Sequence, residues 1–310
     1  LRAATPYEMK TKGYPAEVWE LWSAARAVAL YLKLELPLRT FQVRMLDSGE
    51  ADSWRYIHAP GGGGFVFNHG PLATGSEKRP CQRGVFHRSA NEQEAGFYIN
   101  TDKTADINKA ENEKGYVIPW AHDAVLYWLE KLRNWQEKYN PLSRRTSWTE
   151  LDGRHLKAKS EVQLAGYPDT CFLFRLPEVQ ASETHLSVSI DILDRPWFCL
   201  LEALELRLAD RGETHRNGTP IRFLPQPEAR AKNSTMTLFP LHSLRVSLIT
   251  ALALEGQVPF PVLQKLVGHS RLLMTLYYTK PGATHISDVL LGAAERLEAS
   301  KEVSIQNFLL

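Results

Sequence analysis

The last quarter of the chain, HSLRVSLITALALEGQVPFPVLQKLVGHSRLLMTLYYTK, holds the residues best suited to chemistry. His242 and Arg245 stand three apart, so on a helix they share one face. The residues after them are strongly apolar. The polar pair therefore lies at the start of its helix, free to face a site while Leu248, Ile249 and Leu252 face the core. Gly268-His269-Ser270 follows a second buried-looking helix, and Tyr278 lies nine residues beyond His269. A guanidinium binds phosphate oxygens through its planar fork and stays charged at every working pH. A tyrosine hydroxyl, with a reference pKa of ~10, attacks only where a nearby base accepts its proton. Taken singly, each of these residues has a commonplace role as a structural histidine, a packed aromatic or a salt-bridged arginine.

The rest of the chain must position them. With 310 residues, 44% hydrophobic and 23% charged, there is core-forming material for an ordinary globular protein. Single cores stop growing at roughly 250–300 residues, and one embellished domain over 1–310 is expected. No apolar run reaches the ~20 residues needed to span a bilayer, and no basic-then-apolar leader pattern opens the sequence, so a cytoplasmic protein without a membrane partner is expected. Cys81, Cys171 and Cys199 are far apart and form no CxxC pair, which argues against a disulfide framework or zinc knuckle; buried thiols are expected. A net charge of +2 neither demands nor excludes a nucleic-acid partner.

Apolar spacing predicts an amphipathic helix over 15–34 ending near Pro37, a second helix over 39–47, and a short strand over 54–57. The glycine run 61–64 reads as a flexible loop, because FVFNHG after it lacks the helix opening with Lys and Ser or Thr that a phosphate cradle needs. Strands over 96–101 and 116–119 suggest a β-hairpin with a long polar turn. Helices are expected over 121–139, 197–209, 241–254 and 260–267, then through Tyr278, with an amphipathic tail helix near 287–298. From 141 to 238 little periodicity survives outside 197–209.

Together these features resemble the tyrosine recombinase family of the phage-integrase type, whose hallmark is His-x-x-Arg, a Gly-His dipeptide and a tyrosine about three helical turns on. The resemblance implies an earlier arginine at a helix start and a lysine on a β-hairpin. LPLRTFQVRMLDSGEAD supplies Arg39, and FYINTDKTADIN supplies Lys103. It runs from about residue 15 to 280 on five separated motifs in the family's order. Pro37 and Leu38 stand where the family often has Gly and an apolar residue, and Gln42 replaces a frequent acidic one. The long separations of Arg39, Lys103 and His242 suggest insertions at about 60–95 and 141–235.

As a relative of that family, the chain would be mainly α with a small antiparallel β-sheet, an α+β catalytic domain. It would cleave and rejoin DNA through a 3′-phosphotyrosyl intermediate. Arg39 and Arg245 would hold the charge that develops on the phosphate oxygens. Tyr278 would attack, His242 would take its proton, Lys103 would protonate the departing 5′ oxygen, and His269 would bond a phosphate oxygen. No metal or other cofactor is implied, and no carboxylate cluster suited to two Mg²⁺ ions is visible.

Double-stranded DNA would be the partner, with self-association on it in a tetrameric synapse. The tail helix would dock in cis or onto a neighbouring protomer. Arg44, Arg144, Arg145, Lys157 and Lys159 are candidates for phosphate contacts, with solvated surface charge as the ordinary alternative; Lys109 and Lys114 share the turn of Lys103. The family usually carries a DNA-clamping domain ahead of the catalytic one, and the chain reads as a fragment without it. Two alternatives are DNA relaxation of the type IB topoisomerase kind and a non-catalytic DNA-binding relative.

Overall fold

The computed structural model describes residues 2–88, 95–101, 115–157, 159–226 and 234–268. Lys103, His269, Tyr278 and the expected tail helix lie outside them.

In the first segment, strand β1 (Arg2–Ala3), helix α1 (Pro6–Lys12) and strand β2 (Glu17–Val18) form a small unit, with β1 and β2 antiparallel. Thr5 and Glu8 cap α1 reciprocally, and Gly13 ends it in the left-handed region at φ 67°. The helix expected over 15–34 exists only in its second half, as α2 (Ala25–Glu35). The reason is packing. Trp19, Leu21 and Trp22 carry the helical spacing but are exposed, whereas Val28, Ala29, Leu32 and Leu36 are buried. Each such leucine contributes about 1.5–3 kcal/mol by burial. Leu36, ahead of Pro37, is extended and cannot continue α2.

Helix α3 (Thr40–Arg44) follows, with Arg39 as its extended N-cap. Strands β3 (Trp54–Ile57) and β4 (Gly64–Phe67) pair antiparallel, Ile57 opposite Gly64. The glycine run is therefore the tip of a hairpin. A Cβ on Gly63 would lie 2.0 Å from the Tyr56 hydroxyl oxygen, so glycine there admits a close approach that no other residue permits. Strands β5 (Phe86–Arg88), β6 (Ala95–Ile99) and β7 (Tyr116–Ile118) form a three-stranded antiparallel sheet with β6 central. The expected hairpin is the β6–β7 pair; β5 is an addition.

Helix α4 (Asp123–Tyr139), a short α5 (Glu161–Ala165) and α6 (Asp194–Asp210) precede α7 (His242–Leu254) and α8 (Phe260–Val267), whose bounds match the sequence reading closely. The fold is α+β, mainly helical with small antiparallel sheets. At its centre α2 packs against α3, α4, α6 and α7. Among the described residues, no helix is long and apolar enough to cross a membrane.

The stretch after α4, irregular to sequence reading, is bound into the core. The Leu173 N–H donates to the Leu46 carbonyl and the Ser48 N–H to the Cys171 carbonyl, and Trp148, Phe172 and Leu164 cluster with Met45. Arg175, fully buried, donates to Glu50 at 2.8 Å and to the carbonyls of Phe172 and Asn140. Arg44 is also buried, on the carbonyls of His155 and Val188, and does not offer itself to DNA. Of the cysteines, Cys171 is buried as expected, but Cys199 is exposed on α6 and Cys81 half-buried.

Removing one partner of a buried pair strands the other charge. Glu50→Ala is expected to lower unfolding stability by about 3–5 kcal/mol in denaturant titrations. Arg144→Ala, which breaks the exposed pair with Glu150, should cost no more than about 1 kcal/mol.

Candidate anion-binding site

Arg39, His242 and Arg245 come from the two ends of the chain and converge at the C-terminal end of α2. The residues between α2 and α3, Leu36 to Arg39, run extended. Gln42 secures their exit by accepting the Arg39 N–H at 2.9 Å, the reach-back half of a capping box. Its amide also donates to the Thr101 carbonyl at 3.1 Å and the Tyr116 hydroxyl at 3.3 Å. The acid-to-amide exchange noted in the sequence thus leaves a fully buried neutral link from α3 to the β6–β7 hairpin.

Arg245, in the second turn of α7, has no exposed surface. Its guanidinium donates to the Pro37 carbonyl and, at 3.0 Å, to the Val267 carbonyl near the end of α8. Lys33, one per cent exposed, donates from Nζ to the Leu38 carbonyl at 2.7 Å. Two buried cations therefore hold adjacent carbonyls of the segment that delivers Arg39. The Arg39 guanidinium itself is half-buried; its Nη1 has lost its contact with solvent and has no hydrogen-bond partner among the described residues.

The electrostatics follow from this crowding. Burial and the charges of Arg245 and Arg39 pull the Lys33 ammonium down to about 8. Burial, reinforced by Lys33, Arg245 and Arg39, lowers His242, whose imidazole is then neutral at neutral pH and able to accept a proton. Neither Lys33 nor Arg39 has an ion pair with a carboxylate among the described residues. Unneutralised cations in a part-buried site favour an anion as the missing partner.

Of the six residues singled out in the sequence, the structure brings together Arg39, His242 and Arg245; Lys103, His269 and Tyr278 are outside the described residues. Thr101 lies two residues before Lys103, and Gly268 immediately precedes His269. Lys33 escaped the sequence reading. Its signal was register: it occupies the stripe of Ala29, Leu32 and Leu36, where a lysine does not belong unless its charge has work. Arg145 is no free surface cation either, since it donates to the Ala51 carbonyl and the Thr74 hydroxyl.

Residues 2–149 match the family model described as a putative integrase. The match covers 148 of the 310 residues. The match includes Lys33, Arg39 and Gln42 and ends before α7. No curated protein matches the sequence. Among solved structures, the chain is similar to the Tn1549 transposon integrase in complex with transposon right end DNA and in complex with circular intermediate DNA. Identity is 14% and the TM-score 0.35 in both. The alignments cover 96% of this chain and 66% and 67% of those chains, so the chain spans about two thirds of the length of the integrases it resembles.

Gly268 ends α8 in the left-handed region at φ 65°, and a Cβ there would lie 2.4 Å from Cε1 of Tyr116. Gly268→Ala should therefore cost about 1–3 kcal/mol of stability by denaturant midpoint, from backbone strain and overpacking together. Gly153→Ala, with open space at its Cβ, should stay within about 0.5 kcal/mol of the parent.

Proposed function

We propose that this chain is the catalytic part of a tyrosine recombinase, an integrase that breaks and rejoins DNA strands for integration or excision of a mobile element. The observation that carries the reading is the meeting of Arg39, Arg245 and a neutral His242, with Arg39 in no ion pair among the described residues, in a chain of which residues 2–149 match the putative integrases.

In this reading a DNA phosphodiester docks against Arg39 and Arg245, whose positions are set before charge develops on the non-bridging oxygens. The Tyr278 oxygen attacks phosphorus, His242 takes the phenolic proton, and the P–O5′ bond breaks. Lys103 gives a proton to the leaving 5′ oxygen, and His269 bonds a phosphate oxygen. The products are a 3′-phosphotyrosyl link and a free 5′-hydroxyl. A 5′-hydroxyl from another strand reverses the steps and reseals the DNA, with the bond energy conserved in the ester. Strand exchange takes place between protomers assembled on two DNA sites, in a tetrameric synapse. The domain spans 1–310, with insertions at about 60–95 and 141–235.

Tyr277 and Tyr278 separate the possible registers, because neighbours on a helix point about 100° apart. Incubated with nicked attachment-site DNA, Tyr278→Phe should bind but form no covalent adduct, while Tyr277→Phe still forms one. An adduct from Tyr278→Phe excludes that residue as the nucleophile. The depressed imidazole also predicts that kcat/KM for cleavage, which reports the DNA-free protein, keeps its base form at pH 6.5 and loses it only at lower pH. An acidic limb centred well above 6.5 would remove His242 from the role of base.

A further inference from the structure

Lys33 has no part in that chemistry, and its surroundings are unusual for a lysine. The side chain is one per cent exposed on the core-facing stripe of α2. Its Nζ donates to the Leu38 carbonyl, and no other acceptor is found for its remaining protons among the described residues. The charged groups that bear on it are those of Arg245 and Arg39, both repulsive. His242, the titratable group of α7 in the cluster, is neutral there at pH 7. On α3, Gln42 sets a neutral amide, not a carboxylate, against the Arg39 N–H.

A buried ammonium beside two guanidiniums costs free energy with no compensating ion pair among the described residues, whereas an apolar side chain would fill the same stripe without that cost. The charge makes physical sense if an anion docks against the cluster. One guanidinium of the trio, Arg245, is committed to two main-chain carbonyls, so Lys33 adds positive potential where part of the arginine's hydrogen-bonding capacity is already used.

We infer that Lys33 is a positioning residue of the phosphate site, a buried third cation that holds the Leu38 carbonyl ahead of Arg39 and supplies charge to a docked phosphate from beneath. The inference rests on the phosphate-site part of the proposed function and is independent of the identity of the nucleophile. Phosphate docking raises the proton affinity of Lys33 by replacing repulsion with attraction, so anion binding and protonation of Lys33 reinforce one another.

The test uses inorganic phosphate as the probe, at constant ionic strength, with thermal unfolding of the full chain as the readout. Lys33→Gln keeps a donor for the Leu38 carbonyl and removes the charge; Lys33→Met removes both. Phosphate should stabilise the parent, and both variants should bind it roughly tenfold or more weakly. In the parent, affinity should fall as pH rises through about 8, where Lys33 loses its proton and phosphate is already dianionic; in Lys33→Gln that fall should vanish. Equal stabilisation of parent and variants, or no stabilisation of the parent, overturns the inference. So does failure of both variants to unfold cooperatively, since the lysine would then be structural. A Lys33-dependent phosphate effect in a protein that forms no adduct on nicked DNA would leave the anion site standing and remove the tyrosine chemistry.

Discussion

The arrangement of the cationic cluster depends on one buried guanidinium. Arg245 bonds the carbonyls of Pro37 and Val267, and so fastens the segment between α2 and α3 to the end of α8. Hydrogen bonds to a charged group are worth about 1.5–3 kcal/mol each, while burying the guanidinium itself costs several kcal/mol. The net gain is small in energy and large in geometry. An apolar residue could hold the two helices together as firmly, but it would not fix where the Arg39 segment leaves α2. Lys33 repeats the device one residue along, on the Leu38 carbonyl. The protein thus uses positive charge as the mortar of the place where positive charge is wanted.

Legibility of the sequence follows the source of each element's stability. Helices α4, α7 and α8 announce themselves because their own apolar stripes suffice, and α3 because the extended segment before it ends at a capped start. Strand β4 was hidden by glycines whose purpose is the close approach to Tyr56, and β5 by its brevity, its three residues gaining structure only from β6. Over 15–24 the periodicity was present and misleading, since Trp19 and Trp22 stay exposed and are not packed against the core of the described residues. The residues after α4 could not be read locally because main-chain bonds to 46–48 and the buried Arg175–Glu50 pair hold them in place.

The site was legible in the same uneven way. His242 and Arg245 were readable from spacing on one helix, and Arg39 from its helix start. Gln42 was visible only as a departure from the family's acidic residue, and Lys33 only as a lysine out of place on an apolar stripe, because the bonds each makes depend on burial. Both act through main-chain carbonyls, and such partners leave no trace in side-chain patterns.

The way 171–175 lies along 46–50 bears on the order in which this molecule can fold. Those contacts, with the Arg175–Glu50 pair, close a loop of more than a hundred residues. Pairings this distant in sequence slow folding, because chain entropy is lost before the contacts reward it. Helices α2 and α3 can meet early, and α7 reaches its seat against α2 from farther along the chain still. Lys33 and Arg39, on neighbouring stretches of chain, share their charge as soon as α2 and α3 form, and the guanidinium that adds to their repulsion arrives from more than two hundred residues away.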